Sequence, residues 1–167
     1  MANLKEIRIR IASIASTIQI TSAMKMVSAA KLKKAQDAII QIRPYVNKLT
    51  ELLQNLSANT EDIESVYTDQ REVNNVLLVV ITSNRGLCGA FNSNIFKKTV
   101  HLINDVYADK NVAICAIGKK GRDLLAKKFN IATSHNELYD DLTFNNASRI
   151  AEELIQLFVD GKYDKIE

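Results

Sequence analysis

A heptad repeat of apolar residues runs through the first third of the chain, and it limits the possible folds more than any other feature. Thirteen of its sixteen positions are apolar, and the spacing alternates strictly between three and four residues. The positions are Leu4, Ile7, Ile11, Ile14, Ile18, Thr21, Lys25, Ser28, Leu32, Ala35, Ile39, Ile42, Val46, Leu49, Leu53 and Leu56. The repeat predicts a helix about 80 Å long, at about 1.5 Å per residue, that pairs in a left-handed coiled coil. We assign residues 1–57 to this coiled-coil helix.

We call the sixteen positions of this repeat the seam. The seam is interrupted once, where Thr21, Lys25 and Ser28 replace apolar residues. The same stretch contains three further apolar residues, Met24, Met26 and Val27. Two interpretations stay open: a polar layer that sets the register of a coiled coil, or a turn that contacts a partner protein. Pro44 lies inside the pattern, which resumes in phase after it, so we expect a bend at Pro44 and not the end of the helix.

The positive charge is concentrated at the N-terminus. The whole chain carries +3, whereas residues 1–34 contain seven Lys or Arg residues and one acid, Glu6, which gives a net charge of +6. A nucleic-acid partner is one interpretation of such a basic segment. The helix also carries an apolar seam and a single aromatic residue, Tyr45, so base stacking has little support. We therefore expect no nucleic-acid partner.

Membrane-spanning and catalytic functions have little support in the sequence. No apolar run approaches about 18 residues, so we expect no segment that crosses a membrane directly. Cys88 and Cys115 form no CxxC pair, and the two histidines, His101 and His135, stand alone. This spacing predicts neither a metal site nor a disulfide framework. An enzyme is the weakest of the function classes, because no nucleophile, base and metal occur together.

From residue 74 onwards, buried strands alternate with amphipathic helices. Strands are predicted at 75–83, 111–118, 130–134 and 163–167. Helices are predicted after residue 83, with the stripe Leu87, Phe91, Ile95, Leu102 and Val106, and at 119–129 and 145–161. Such alternation predicts an α/β fold, a Rossmann-like domain over 74–167 with a mainly parallel sheet. Residues 58–73 lose the heptad period and become acidic and polar, so we interpret them as a linker.

The ends of these helices suggest specific caps. Ser83 or Asn84 is available to cap the first helix, and Asn145 or Asn146 the last. Gly161 is placed to end the last helix. The chain stops as it enters a fourth strand, and the long N-terminal helix has no second long helix to pair with. We therefore expect the α/β domain to be truncated and a C-terminal part to be missing.

The turn "TSNRGLCGAFN" (82–92) joins the first strand to the first helix of this domain, a place where many proteins bind phosphate. It does not match a P-loop, since Gly86 and Gly89 are only three positions apart and no Gly-Lys-Ser/Thr follows. A dinucleotide fingerprint is also absent. A small anion at the helix start, assisted by Arg85, remains an alternative to a close-packed turn or a protein contact. Cys88 is the only candidate nucleophile, and no histidine lies near it in sequence.

Two stretches carry a resemblance to a known family. The segments "IRIRIASIASTIQITSAMKMVSAAKLKKA" (7–35) and "TSNRGLCGAFN" (82–92) resemble the signature stretches of gamma subunits of F-type ATP synthases. The order of a long helix followed by a Rossmann-like domain without a nucleotide site is similar too. One departure is Asn84, where the family usually has Asp before the Arg of the turn. A second is the missing C-terminal helix.

The resemblance implies a central-stalk rotor subunit that couples proton flow to conformational change at the catalytic subunits. It implies no catalytic, cofactor or metal residues in this chain. The implied partners are the alpha and beta subunits of the catalytic ring, the epsilon subunit and the c-ring of the membrane sector. The implied coupling or partner-contact residues are Arg8, Met24, Lys25, Met26, Val27, Arg85, Gly86 and Cys88. The location would be peripheral, on the cytoplasmic side of a bacterial inner (plasma) membrane.

Two alternatives accompany this expectation. An anion- or nucleotide-binding α/β module that oligomerises through a coiled coil would use the same helix and turn, and it predicts measurable phosphate affinity in the isolated chain. A chain of 167 residues with an unpaired seam is also expected to self-associate, or to have a partly frayed N-terminal helix.

Overall fold

A computed structural model describes residues 3–59 and 71–167. The first range belongs to one compact unit and the second range to another. The first unit is a single helix, α1, over Leu4–Asn59. It runs without interruption through Pro44, as the in-phase repeat predicts. Most of the predicted linker, residues 60–70, lies outside the described residues.

Helix α1 presents its repeat to the outside. Every residue from Leu4 to Asn55 is exposed, including the apolar seam; the side chain of Leu56, the last repeat position, is not described. Hydroxyl side chains on the helix donate back to the preceding turn, for example Thr21 Oγ1 to the Thr17 carbonyl at 2.6 Å. Local bonds of this kind accommodate a polar residue in a helix without burying it.

The second unit is built on a four-stranded sheet. Its strands are β1 (Asn75–Ile81), β2 (Asn111–Ile117), β3 (Ile131–Ser134) and β4 (Lys165–Ile166). The order across the sheet is β3-β2-β1-β4, and each neighbouring pair is parallel. The central pair is in continuous register from Asn75 opposite Asn111 to Ile81 opposite Ile117. The predicted α/β fold with a parallel sheet is confirmed.

Helices connect successive strands. They are α2 (Phe91–His101), which continues as a π-helical turn over Leu102–Val106, α3 (Lys119–Leu125) and α4 (Phe144–Val159), with a short 3-10 helix at Glu137–Tyr139 before α4. At the end of α4, Gly161 has φ 69°, and its N–H donates to the Phe158 carbonyl. The next N–H, from Lys162, donates to the Leu157 carbonyl, so α4 ends in a Schellman motif at the predicted glycine.

Both predictions for the helix N-caps are wrong. Helix α2 starts only at Phe91, so neither Ser83 nor Asn84 caps it, and Leu87 lies in the turn and not on the helical stripe. Helix α4 is capped by Thr143, whose hydroxyl accepts from the Asn146 N–H at 3.3 Å. Thr143 has extended backbone angles, as a capping residue requires, whereas Asn145 and Asn146 already lie within the helix.

The sheet is covered on both faces. Alternate residues of β1, such as Val76 and Leu78, pack with Ile114 against the side of α2 and α3. The intervening residue Leu77 packs with Cys115 against the side of α4. Burial raises the pKa of the Cys115 thiol above its ordinary value. Because both faces are covered, successive residues of β1 and β2 are buried, which explains why these strands read as continuous apolar runs.

Candidate functional site

The turn between β1 and α2, residues 83–90, is held together by the side chain of Asn92. Its Oδ1 accepts the Ser83 N–H at 3.1 Å, and its Nδ2 donates to Ser83 Oγ at 2.9 Å. The same Nδ2 lies 3.2 Å from the sulfur of Cys88. The Ser83 hydroxyl donates to the Arg85 carbonyl at 2.6 Å. These bonds give the turn one internal conformation and leave its tip free for contact.

The turn also caps a helix that starts 35 residues later in the chain. The first three N–H groups of α3 donate to residues 82–84. The pairs are Lys119 N to Asn84 Oδ1 at 2.8 Å, Lys120 N to the Ser83 carbonyl at 3.1 Å and Gly121 N to Thr82 Oγ1 at 2.8 Å. Free N–H groups at a helix start are what bind an anion. At α3 those donors are already used, so the phosphate alternative is restricted to the start of α2, beside Arg85.

Two glycines allow this capping because the backbones of β1 and α3 approach closely. A Cβ atom on Gly118, which has φ 107°, would lie 2.1 Å from the Thr82 carbonyl oxygen. A Cβ on Gly121 would lie 2.6 Å from Thr82 Oγ1. No space for a ligand remains between the end of β1 and the start of α3. The close approach of Thr82, Gly118 and Gly121 was not predicted from the sequence, although a polar Thr at the end of an apolar strand was an available signal.

The tip of the turn consists of Arg85, Gly86 and Leu87, all exposed. Leu87 is fully exposed and has φ 62°, an unfavourable conformation for a residue other than glycine. Of the predicted contact residues, Arg85 and Gly86 lie at this surface. Cys88 is half-buried and faces Asn92. Leu87 was missed as an exposed residue, because its apolar character suggested a place on the helical stripe.

The other predicted contact residues lie on α1. Met24, Lys25, Met26 and Val27 are consecutive and exposed, so they point in four directions, about 100° apart, around one helical turn. Arg8 is also exposed, and it lies about 24 Å from Met24 along the axis at about 1.5 Å per residue. The helix therefore groups residues 24–27 as a collar and leaves Arg8 separate.

Two negative findings apply to residues 3–59 and 71–167. Among them, no helix combines the length and apolar character needed to cross a bilayer. The same residues contain no group of three or more His, Cys, Asp or Glu side chains arranged to hold a metal ion.

Comparison with known proteins identifies the family. A family model described as ATP synthase matches residues 3–167. The ATP synthase gamma chain of Flavobacterium johnsoniae is 62% identical over 168 residues, which cover 100% of this chain and 58% of that protein. The gamma chain of Christiangramia forsetii is 60% identical over 167 residues (99% and 58%), and that of Cytophaga hutchinsonii is 46% identical over 173 residues (100% and 59%). The chain thus spans less than two thirds of the length of these relatives. It belongs to the family of ATP synthase gamma chains.

Proposed function

We propose that this chain is the N-terminal and central part of the central-stalk rotor of an F-type, proton-translocating ATP synthase. It couples ion flow to conformational change at the catalytic subunits and performs no catalysis itself. The observation that carries this proposal is the uninterrupted 56-residue helix α1 with an exposed apolar seam, in a chain of the ATP synthase gamma family. The helix is about 84 Å long at about 1.5 Å per residue. Paired with a second helix that covers its seam, it would form a long coiled coil that can serve as a shaft.

The two units have different proposed roles. Residues 1–57 form the shaft, residues 58–73 the linker and residues 74–167 the domain that binds the epsilon subunit and the c-ring. The collar Met24–Val27 and the separate Arg8 contact the alpha and beta subunits of the ring. The tip of the turn, together with the adjacent Cys88, is a further partner contact. Its support is the exposed side of Arg85 and the strained, fully exposed Leu87.

The proposed location is peripheral, on the cytoplasmic side of a bacterial inner membrane, through contact with the c-ring. The isolated chain of 167 residues self-associates through the seam of α1 or has a partly frayed α1, because no described residue of this helix is buried. Sedimentation of the isolated chain at rising concentration tests that statement, and a monomer with a fully formed α1 would contradict it.

The experiment that tests the rotor proposal is purification of the tagged native protein from its own cells. Recovery of an active ATPase, with catalytic subunits in stoichiometric excess over this chain, is the expected result. Recovery of the chain alone, or with nucleic acid, would refute the proposal. Measurable phosphate binding by the chain alone, lost in Arg85→Ala, would instead favour an anion site at the start of α2.

Coupling itself is tested by a matched pair of charge reversals on α1. Lys25 lies in the seam interruption, and Lys33 is an exposed lysine outside the seam. We expect Lys25→Glu to reduce ATP-driven proton pumping more than Lys33→Glu, at equal amounts of assembled complex. Equal effects would show that general positive charge on α1, and not the collar, is what matters.

A further inference from the structure

The last part of the predicted linker 58–73 is attached to the α/β unit through the side chain of Arg71. One guanidinium nitrogen of Arg71, Nη1, donates to the Phe158 carbonyl at 2.9 Å. The centre of the guanidinium lies 4.9 Å from the centre of the Phe158 ring, in a cation–π contact. The same Nη1 lies beside Gly161, where a Cβ atom would be 3.7 Å from it. Arg71 therefore contacts the end of α4, 87 residues later in the chain.

The end of α4 is a favourable place for a positive charge. The carbonyl groups at the C-terminus of a helix carry a partial negative charge, and a nearby cation stabilises them. The last turn of α4 contains no basic residue of its own. Arg71 supplies the cation from a distant part of the chain, and its charge also attracts the carboxylate of Asp164, just before β4. The contact therefore combines a hydrogen bond, a ring contact and electrostatic attraction.

This attraction depends on a single residue of the linker. Arg71 is the only basic residue among 58–73. The same range contains five acids, which are Glu61, Asp62, Glu64, Asp69 and Glu72. Acidic side chains are repelled by the carbonyl end of a helix and by other carboxylates, such as those of Asp160 and Asp164. Electrostatic attachment of the linker to the end of α4 therefore requires Arg71.

The residues between Arg71 and β1 are attached to the α/β unit by further contacts. Val73 packs against the part of the core that faces α2 and α3. The N–H groups of Asn74 and Asn75 donate to the Asp164 carboxylate at 2.9 and 2.7 Å. Arg71 is the first described residue of this series in chain order. If residues 71–74 were released, the connection between α1 and the α/β unit would lengthen by up to about 14 Å, at about 3.3–3.6 Å per residue.

We propose that Arg71 is a positioning residue of the rotor. It fixes the start of the α/β unit to the end of α4, and it thereby sets the length of chain through which α1 and the α/β unit exchange force. A longer connection lets its two ends move further apart before it becomes taut, so it transmits force less directly. Arg71 acts through Phe158 and α4. The proposal rests on the rotor function proposed above.

Hydrogen exchange of the full-length protein in its assembled complex tests the contact. In Arg71→Ala, we expect the N–H groups of residues 72–74 to exchange about tenfold faster, because a hydrogen bond from a charged group is lost. The N–H groups of β2, in the centre of the sheet, should keep the wild-type rate. Glu72→Ala is the matched control, since Glu72 is the exposed neighbour of Arg71. Wild-type exchange at residues 72–74 in Arg71→Ala would overturn the proposal.

A coupling measurement distinguishes positioning from a purely local stabilising role. At equal amounts of assembled complex, we expect Arg71→Ala to lower the number of protons pumped per ATP hydrolysed, with ATP hydrolysis retained. Arg71→Lys keeps the charge and loses the planar guanidinium, so its ratio should lie between the other two. This milder variant decides the question if Arg71→Ala does not assemble.

Two different failures can be told apart in this measurement. A wild-type ratio of protons to ATP in Arg71→Ala, or in Arg71→Lys if only that variant assembles, would overturn the positioning role and leave the rotor proposal standing. Absence of an ATPase from preparations of the wild-type protein would refute the rotor proposal itself, and the role of Arg71 with it.

Discussion

The two units of this chain use apolar residues in opposite ways. In α1, the heptad seam contains more than a dozen apolar residues, and every described one of them is exposed. In the α/β unit, residues such as Leu77 and Ile114 are completely buried between two helical layers. Both patterns are equally regular in the sequence. Regular apolar spacing therefore predicts a helix or strand. Whether the apolar side of that element is buried depends on whether the chain itself supplies a surface that packs against it.

Stability of the two units should differ accordingly. The α/β unit contains its own core, so a substitution in that core lowers the free energy of unfolding of the isolated chain. The seam of α1 gains its apolar contacts only from another helix, whether from a partner or from a second copy. Substitutions in the seam should therefore change assembly more than unfolding of the α/β unit.

The largest effect is expected from one substitution made in both units. Ile114→Ala removes a fully buried side chain from β2 and should lower the free energy of unfolding by about 2–5 kcal/mol. Ile14→Ala removes a seam residue from the other unit and should change the free energy of unfolding of the α/β unit by less than about 0.5 kcal/mol. Urea unfolding followed by tyrosine fluorescence measures both. Equal destabilisation of the α/β unit by both substitutions would show that its stability depends on the α1 seam.

The second-largest effect is expected from a comparison of two glycines within the α/β unit. Gly118→Ala places a Cβ 2.1 Å from the Thr82 carbonyl oxygen at a positive φ, and we expect a loss of about 3 kcal/mol from overpacking and backbone strain. Gly86→Ala is the matched control, because a Cβ there has no neighbour within 4 Å. Thermal unfolding of both variants provides the comparison. A tolerant Gly118→Ala would show that β1 and α3 can separate.

A smaller effect is expected at Asn84. Its Oδ1 accepts from Lys119 N–H, and its Nδ2 donates to the Asn136 carbonyl at 2.7 Å. Asn84→Asp keeps the acceptor and loses the donor, so we expect a loss of about 1 kcal/mol. Asn84→Ala loses both bonds and should cost about 2 kcal/mol. Chemical unfolding of the three proteins would order them; Asp and Ala variants of equal stability would show that the bond to Asn136 is the one that matters.

The smallest effect is a pH dependence confined to the α/β unit. Backbone N–H donors of Asn75 and Asn74 lower the pKa of Asp164 below its ordinary value. A lowered pKa in the folded state stabilises the protein above about pH 3.9, and the contribution is lost as pH falls through the folded pKa. The stability difference between wild type and Asp164→Asn should therefore shrink below about pH 4. A difference independent of pH would contradict this assignment.

Local patterns in the sequence were sufficient for most of the fold. Continuous apolar runs predicted the strands and heptad spacing predicted α1, while Gly161 predicted the end of α4. The errors occurred where distant residues compete for the same groups. Asn84 was predicted to cap the next helix, α2, but its amide oxygen binds α3, which starts 35 residues later. The exposed Leu87 was predicted to lie on the helix for a different reason, because nothing in the local sequence indicates that the turn continues to residue 90.

The capping of α3 has a consequence for how the sequence of this family member can vary. The bonds run from backbone N–H groups of residues 119–121 to residues 82–84, so the side chains of Lys119 and Lys120 take no part in them. These two positions can therefore accept any residue except proline, which has no backbone N–H, and keep the link. Evolution is therefore free to adjust the charge of this surface at 119 and 120, whereas Thr82, Asn84 and the two glycines carry the structural constraint.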